Sequence, residues 1–121
     1  MVRMLMSGLG LASVLGLAAC SRQPACVMPD DPPRTLDLTR ESDRRHLAAD
    51  FETANRLAEA YGQWASQHPP SDARFVTAEG LERDGRAYCQ ALLAERISAM
   101  HGVAMPRVEH ALADQARLSR R

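Results

Sequence analysis

The sequence has no excess of charge of either sign and no lysine. Its 15 basic residues, all of them arginine, are balanced by 15 acidic residues in a chain of 121 residues. A domain that binds nucleic acid carries a basic patch, and an anionic lipid surface attracts a similar cluster of positive charge. The balanced composition therefore argues against binding to nucleic acid and against binding to an anionic lipid surface. We expect no nucleic-acid partner.

Recognisable catalytic motifs are missing as well. The sequence contains no glycine-rich phosphate loop, no nucleophile elbow and no paired-carboxylate motif. Neither Cys26 nor Cys89 is followed by the residues of a C-x-x-C-H haem-attachment motif. We therefore expect no cofactor and predict that the protein is not an enzyme.

Long hydrophobic runs are also absent. The apolar run from Met4 to Leu17 is about 14 residues long, whereas a membrane-spanning helix needs about 20. The run follows Arg3 and ends in the residues Leu17-Ala18-Ala19-Cys20. A basic start, an apolar centre and small residues before a cut are the parts of a secretory signal. Their order here resembles the lipobox signal peptide of bacterial lipoproteins.

The resemblance is confined to residues 1–20, and it implies how this segment is processed. Residues 1–19 would be cleaved as the signal peptide, and Cys20 would carry two or three fatty acyl chains such as palmitate. It also implies that the protein is lipid-anchored to a membrane of the cell envelope. Ser21, rather than aspartate, follows Cys20, which in Gram-negative lipoproteins favours the outer membrane, facing the periplasm.

The other two cysteines predict a disulfide. Once lipid has modified Cys20, Cys26 and Cys89 remain as an even pair in an exported protein. The loop between them has about 63 residues, and closing such a loop contributes about 4 kcal/mol in the chain-entropy model. Alternatively, Cys89 is a small core residue with Cys26 free, or Cys26 pairs between chains.

Residues 20–38 are expected to form a lipidated, proline-rich tether. Four prolines stand among polar residues there, at positions 24, 29, 32 and 33, which prevents a helix and favours extended chain. Residues 39–121 then form a small helical domain. If Cys26 bonds to Cys89, part of the tether is held against that domain.

The domain is predicted to be all-α: an antiparallel helical hairpin plus a short third helix. The first helix runs from Thr39 or Ser42 to Ser66, the second begins after the N-cap Thr77, and the third spans Pro106 to Leu118. Apolar residues recur at steps of three and four along the two long helices. They give a predicted core of Leu47, Phe51, Tyr61, Leu81, Tyr88, Leu92 and Ile97, with Gly85 at the closest helix crossing.

The segment around Gly102 looks like a helix-turn-helix. The second helix of that motif would offer only Arg107 and Arg117 as strong phosphate donors, beside acidic residues. We therefore interpret Gly102 as a left-handed helix C-cap, with Val103 packing back onto the helix.

Histidines raise the question of a metal site. His46 and Asp50 are four residues apart on the first helix, and His101 and His110 flank a turn, but the sequence places no third ligand near either pair. We expect surface histidines, one of them hydrogen-bonded to Asp50, and no metal site.

These observations favour a membrane-anchored envelope lipoprotein that is non-catalytic and binds an envelope protein as an accessory module. The alternative is a small metal- or ligand-binding lipoprotein that uses His46, Asp50, His101 or His110.

Overall fold

A computed structural model describes residues 22–29, 32–72 and 76–119, and these residues form helices without any strand. The helices are α1 (Glu41–Gln67), α2 (Ala78–His101) and α3 (Met105–Ser119). Helices α1 and α2 pack along each other, and α3 contacts both of them. The predicted all-α fold, a hairpin with a short third helix, is confirmed.

Helix α2 begins as its sequence predicts. Thr77 is the N-cap residue, and its Oγ1 accepts a hydrogen bond from the backbone N–H of Gly80 at 3.0 Å. The side chain thereby satisfies one of the backbone donors that a helix start leaves without a partner.

Helix α1 begins differently from the prediction. Its N-cap is Arg40, which makes no capping hydrogen bond, rather than Thr39 or Ser42. The hydrogen bonds at the start of α1 lie instead in the preceding turn, where the hydroxyl and backbone N–H of Thr39 donate to Asp37. These two bonds, the hydroxyl's first, lower the pKa of the Asp37 carboxyl below its ordinary value. Asp43, in the first turn of α1, accepts the backbone N–H of Asp37 at 2.8 Å.

The end of α2 confirms the prediction for Gly102. This residue has φ 66° and ψ 30°, the left-handed conformation, and its N–H bonds to the carbonyl of Ser98. Val103 is buried directly after it. The segment is a capped helix end that leads into α3.

The core differs from the prediction in which face of α2 it buries. Leu47, Phe51 and Ile97 are buried as expected, but Tyr88 is 56% exposed and Leu92 is 40% exposed. Tyr61 and Leu81 are only partly buried. The inward face of α2 runs instead through Cys89, Leu93 and Ile97, which are at most 1% exposed. Because successive residues of a helix point about 100° apart, Tyr88 can be exposed while its neighbour Cys89 is buried.

Helices α1 and α2 approach each other closely at Gly85, where the sequence predicts their crossing. A Cβ atom at Gly85 would lie 2.8 Å from Cβ of Ala65 and 3.4 Å from Cα of Gly62. A Cβ atom at Gly62 would lie 2.6 Å from the carbonyl oxygen of Glu82. Two glycines therefore let the backbones of α1 and α2 approach each other.

Part of the proline-rich segment belongs to the folded unit. The sulfur atoms of Cys26 and Cys89 lie at disulfide distance, with Cα atoms 5.5 Å apart. Met28 and Leu36 are each 7% exposed and join the core. The residues around Cys26, Met28 and Leu36 therefore pack against the helical domain, as expected if Cys26 bonds to Cys89. Within the described residues, no helix is both long and apolar enough to cross a membrane.

Candidate functional site

A histidine cluster joins the two long helices at one end of the hairpin. His46 and Asp50 lie one turn apart on the same face of α1, and the antiparallel packing brings His101, the last residue of α2, against them. One ligand atom from each of the three side chains lies within 4.8 Å of the others. The structure thus supplies the third ligand that the sequence did not place.

His101 corrects the expectation of surface histidines. It is 0% exposed, and its Nε2 lies 2.6 Å from Oδ2 of Asp50. Its Nδ1 lies 2.9 Å from the carbonyl oxygen of Arg34. Because a carbonyl only accepts, Nδ1 must carry a proton. Both ring nitrogens are therefore engaged, one by the chain segment before α1 and one by α1 itself.

A sequence signal for the burial of His101 does exist. The residue lies four positions after Ile97 and eight after Leu93, so it continues the buried stripe of α2 by one more turn. A histidine at the end of a helix is easily assigned to the surface. Here the segment around Arg34 and Leu36 covers it, which short-range periodicity cannot predict.

The remaining two members of the cluster are more accessible. The side chain of Asp50 is 14% exposed and that of His46 is 33% exposed, and His46 Nε2 lies 3.7 Å from Oδ2 of Asp50. The imidazole rings of His46 and His101 meet edge to face, with centroids 5.2 Å apart. The cluster is therefore closed on the His101 side and open to solvent on the His46 side.

His110 is not part of this cluster. His110 Nε2 lies 3.4 Å from Oδ2 of Asp114 on α3, and its side chain is 81% exposed. The pair repeats the four-residue spacing of His46 and Asp50 at a solvent-exposed position, as expected of a surface histidine.

A second feature is an aromatic surface formed by Tyr61, Trp64, His68 and Tyr88. The ring centroids of Tyr61 lie 5.8 Å from those of both Trp64 and Tyr88. The ring of His68 stacks on Trp64 at 4.5 Å. Within the described residues, Trp64 Nε1 is buried without a hydrogen-bond partner. Of the two tyrosines predicted in the core, Tyr88 is exposed and Tyr61 is partly buried.

The aromatic surface adjoins the disulfide. Tyr61, Tyr88 and Leu92 line one concavity together with residues 23–26, and Gln23 Nε2 donates to the hydroxyl of Tyr61 at 3.3 Å. The chain therefore enters the folded unit at the edge of this surface.

A polar groove of about 390 Å³ lies between the three helices, with Glu52, Arg56, Glu59 and Arg86 in its lining. Asn55 also lines the groove and links the helices, because its side chain accepts a hydrogen bond from Gln90 and donates one to the carbonyl of Leu112. The groove is open and its charged side chains are of both signs, unlike the mostly apolar pockets that hold small ligands.

Of the residues singled out in the sequence, Cys20 lies outside the described residues, and Cys26 and Cys89 lie together.

Comparison of the chain with protein-family models, with curated proteins and with solved structures finds no match.

Proposed function

We propose that the protein is a lipid-anchored, non-catalytic accessory protein of the cell envelope, which binds another envelope protein through its aromatic surface. The observation that carries the proposal is the exposure of Tyr88 and Leu92, at 56% and 40%, beside Tyr61 and Trp64.

Side chains of this kind are typical of protein interfaces. Tyrosine and tryptophan are enriched at interface centres, because each combines a large apolar area with a polar group and loses little conformational entropy on binding. The chain has only five Phe, Tyr and Trp residues. Three of them lie together, with Tyr88 exposed and Tyr61 and Trp64 partly buried. The apolar area that they leave in solvent costs burial energy in the free protein and favours a binding role.

The disulfide limits where the partner can be. If Cys20 is lipidated, the residues from Cys20 to Cys26 are the only chain between the anchor and the folded unit. Six residues span at most about 20 Å. The aromatic surface, which adjoins Cys26, is then held within that distance of the bilayer. The partner is accordingly a protein that is embedded in, or anchored to, the same membrane.

Site-specific photocrosslinking in intact envelopes tests the proposal. We expect a photoreactive residue at position 92 of the full-length protein to form one discrete adduct with a membrane-associated protein. Tyr88→Ser should abolish the adduct while leaving the melting temperature unchanged, since Tyr88 is exposed.

A photoreactive residue at His110 is the matched control, because its side chain is 81% exposed on α3. The proposal fails if positions 92 and 110 give the same adducts, or if Tyr88→Ser leaves the adduct intact. It also fails if position 92 crosslinks to lipid alone, since the aromatic surface would then rest on the bilayer.

A further inference from the structure

We infer that His46, Asp50 and His101 form a binding site for a divalent first-row transition-metal ion, of which Zn²⁺ is the representative. The inference uses only the folded residues, so it does not depend on the lipid anchor or on the aromatic surface.

The three ligand atoms come from two helices that already pack together. Nε2 of His101 and Nε2 of His46 lie 2.6 Å and 3.7 Å from Oδ2 of Asp50, and the whole set lies within 4.8 Å. Around one Zn²⁺ ion, with ligand bonds of 2.0–2.2 Å in a tetrahedral arrangement, ligand atoms are separated by about 3.3 Å. The contact between Asp50 and His101 must open from 2.6 Å by about 0.7 Å, and His46 must move inward. Small rotations of the partly exposed His46 and Asp50 side chains can supply both changes.

His101 is oriented in the way that metal ligands commonly are. A ligating histidine usually donates its second ring N–H to a backbone carbonyl or a carboxylate, which fixes the tautomer and the direction of the coordinating nitrogen. The carbonyl of Arg34 accepts from Nδ1 of His101 at 2.9 Å, so Nε2 faces Asp50 and His46. Because the Asp50 carboxylate only accepts, the proton that lies between it and Nε2 must pass to solvent when the ion binds.

That carbonyl is itself held in place. The backbone N–H of Arg34 donates to the carbonyl of Met100 at 2.9 Å, and the N–H of Leu36 donates to the carbonyl of His101 at 3.1 Å. The Arg34 guanidinium also lies 3.5 Å from Asp43. The segment before α1 therefore fixes the imidazole on its buried side, independently of any ion.

The kinds of ligand select the ion. Two imidazoles and one carboxylate suit Zn²⁺, Co²⁺, Ni²⁺ and Cu²⁺, whereas Ca²⁺ and Mg²⁺ prefer sets of oxygen ligands. Burial of His101 and partial exposure of His46 leave one side of the cluster open to solvent. Water can complete the coordination from that side, and the same opening gives the ion its path in.

Calorimetric titration with ZnCl₂ tests the inference. The purified full-length protein is first treated with a chelator and then kept in detergent and a buffer that does not bind metals. We expect one Zn²⁺ per chain, and His46→Ala should weaken binding by at least about tenfold. His46 is chosen because its side chain is 33% exposed, so that the variant remains folded, as circular dichroism would verify.

His110→Ala is the matched control, since His110 and Asp114 share the four-residue spacing but lack a buried third ligand. It should leave the affinity unchanged. The inference is overturned if the wild-type protein takes up no Zn²⁺, in which case the cluster is a structural ion pair only. It is equally overturned if His46→Ala binds as tightly as the wild type, or if His110→Ala loses as much affinity as His46→Ala.

Discussion

Nε2 of His101, at the end of α2, lies 2.6 Å from the carboxylate of Asp50 in the middle of α1. The imidazole is fully buried and its other nitrogen bonds to the carbonyl of Arg34. One side chain thus connects three parts of the chain: the segment before α1, the helix α1 and the end of α2. We therefore expect substitutions that remove this contact to lower the free energy of unfolding.

Asp50→Ala should lower the free energy of unfolding by about 3 kcal/mol in the presence of a chelator. Removing one partner of a buried pair leaves the other polar group without compensation, which costs about 3–5 kcal/mol. Because Asp50 is partly exposed, we expect a loss at the lower end of that range. Urea denaturation measures it, with Asp114→Ala as the control. Asp114 pairs at the surface with His110 and Arg117, and its exposed contacts should contribute less than about 1 kcal/mol. Equal losses in the two variants would contradict the structural role of His101.

Gly85→Leu should destabilise the hairpin by about 1–3 kcal/mol, because the side chain would overpack the crossing with α1. Even a Cβ atom there would approach Cβ of Ala65 to 2.8 Å. Ala60→Leu is the control, since Ala60 is exposed on α1, and it should change the free energy of unfolding by less than about 0.5 kcal/mol. Thermal unfolding followed by circular dichroism compares the two. Equal melting temperatures would mean that α1 and α2 cross elsewhere.

Cys26→Ser should cost about 2–5 kcal/mol through loss of the disulfide. Cys26 is the better of the two cysteines for this test, because it is partly exposed, whereas Cys89 is 0% exposed and a serine there would also bury a hydroxyl group. Peptide mapping without reducing agent should recover the two cysteines linked within one chain. Free thiols at both positions, or a linked dimer, would argue against the bond.

Features set by local interactions were predictable from the sequence. The Thr77 cap depends on a hydrogen bond between residues three apart, and the Gly102 cap depends on the ability of glycine to adopt a positive φ. Gly85 was likewise predictable, since a glycine on an apolar helix stripe implies a close neighbour. In each case the deciding partner is near in sequence or the residue itself carries the signal.

Contacts made by the segment around Arg34 and Leu36, which covers His101, were not predictable from the sequence. Residues before α1 looked like a spacer, yet Leu36 is buried and the carbonyl of Arg34 bonds to His101. The histidine cluster joins residues 51 positions apart, and no local pattern indicates such a pairing. For the same reason periodicity did not show that Tyr88 would be exposed. The residues of α2 that are buried are those on the face that meets α1 and the chain around Cys26.

Lipidation of Cys20 underlies the proposed function, because the anchor and the short span to Cys26 together place the aromatic surface at a membrane. Mass spectrometry of the protein recovered from the membrane fraction tests it most directly. The account predicts a mature chain that begins at Cys20 and carries the added mass of two or three acyl chains, with Cys20→Ala preventing both cleavage and lipidation. A chain that begins at Met1, or one cut elsewhere and free of lipid, would contradict it.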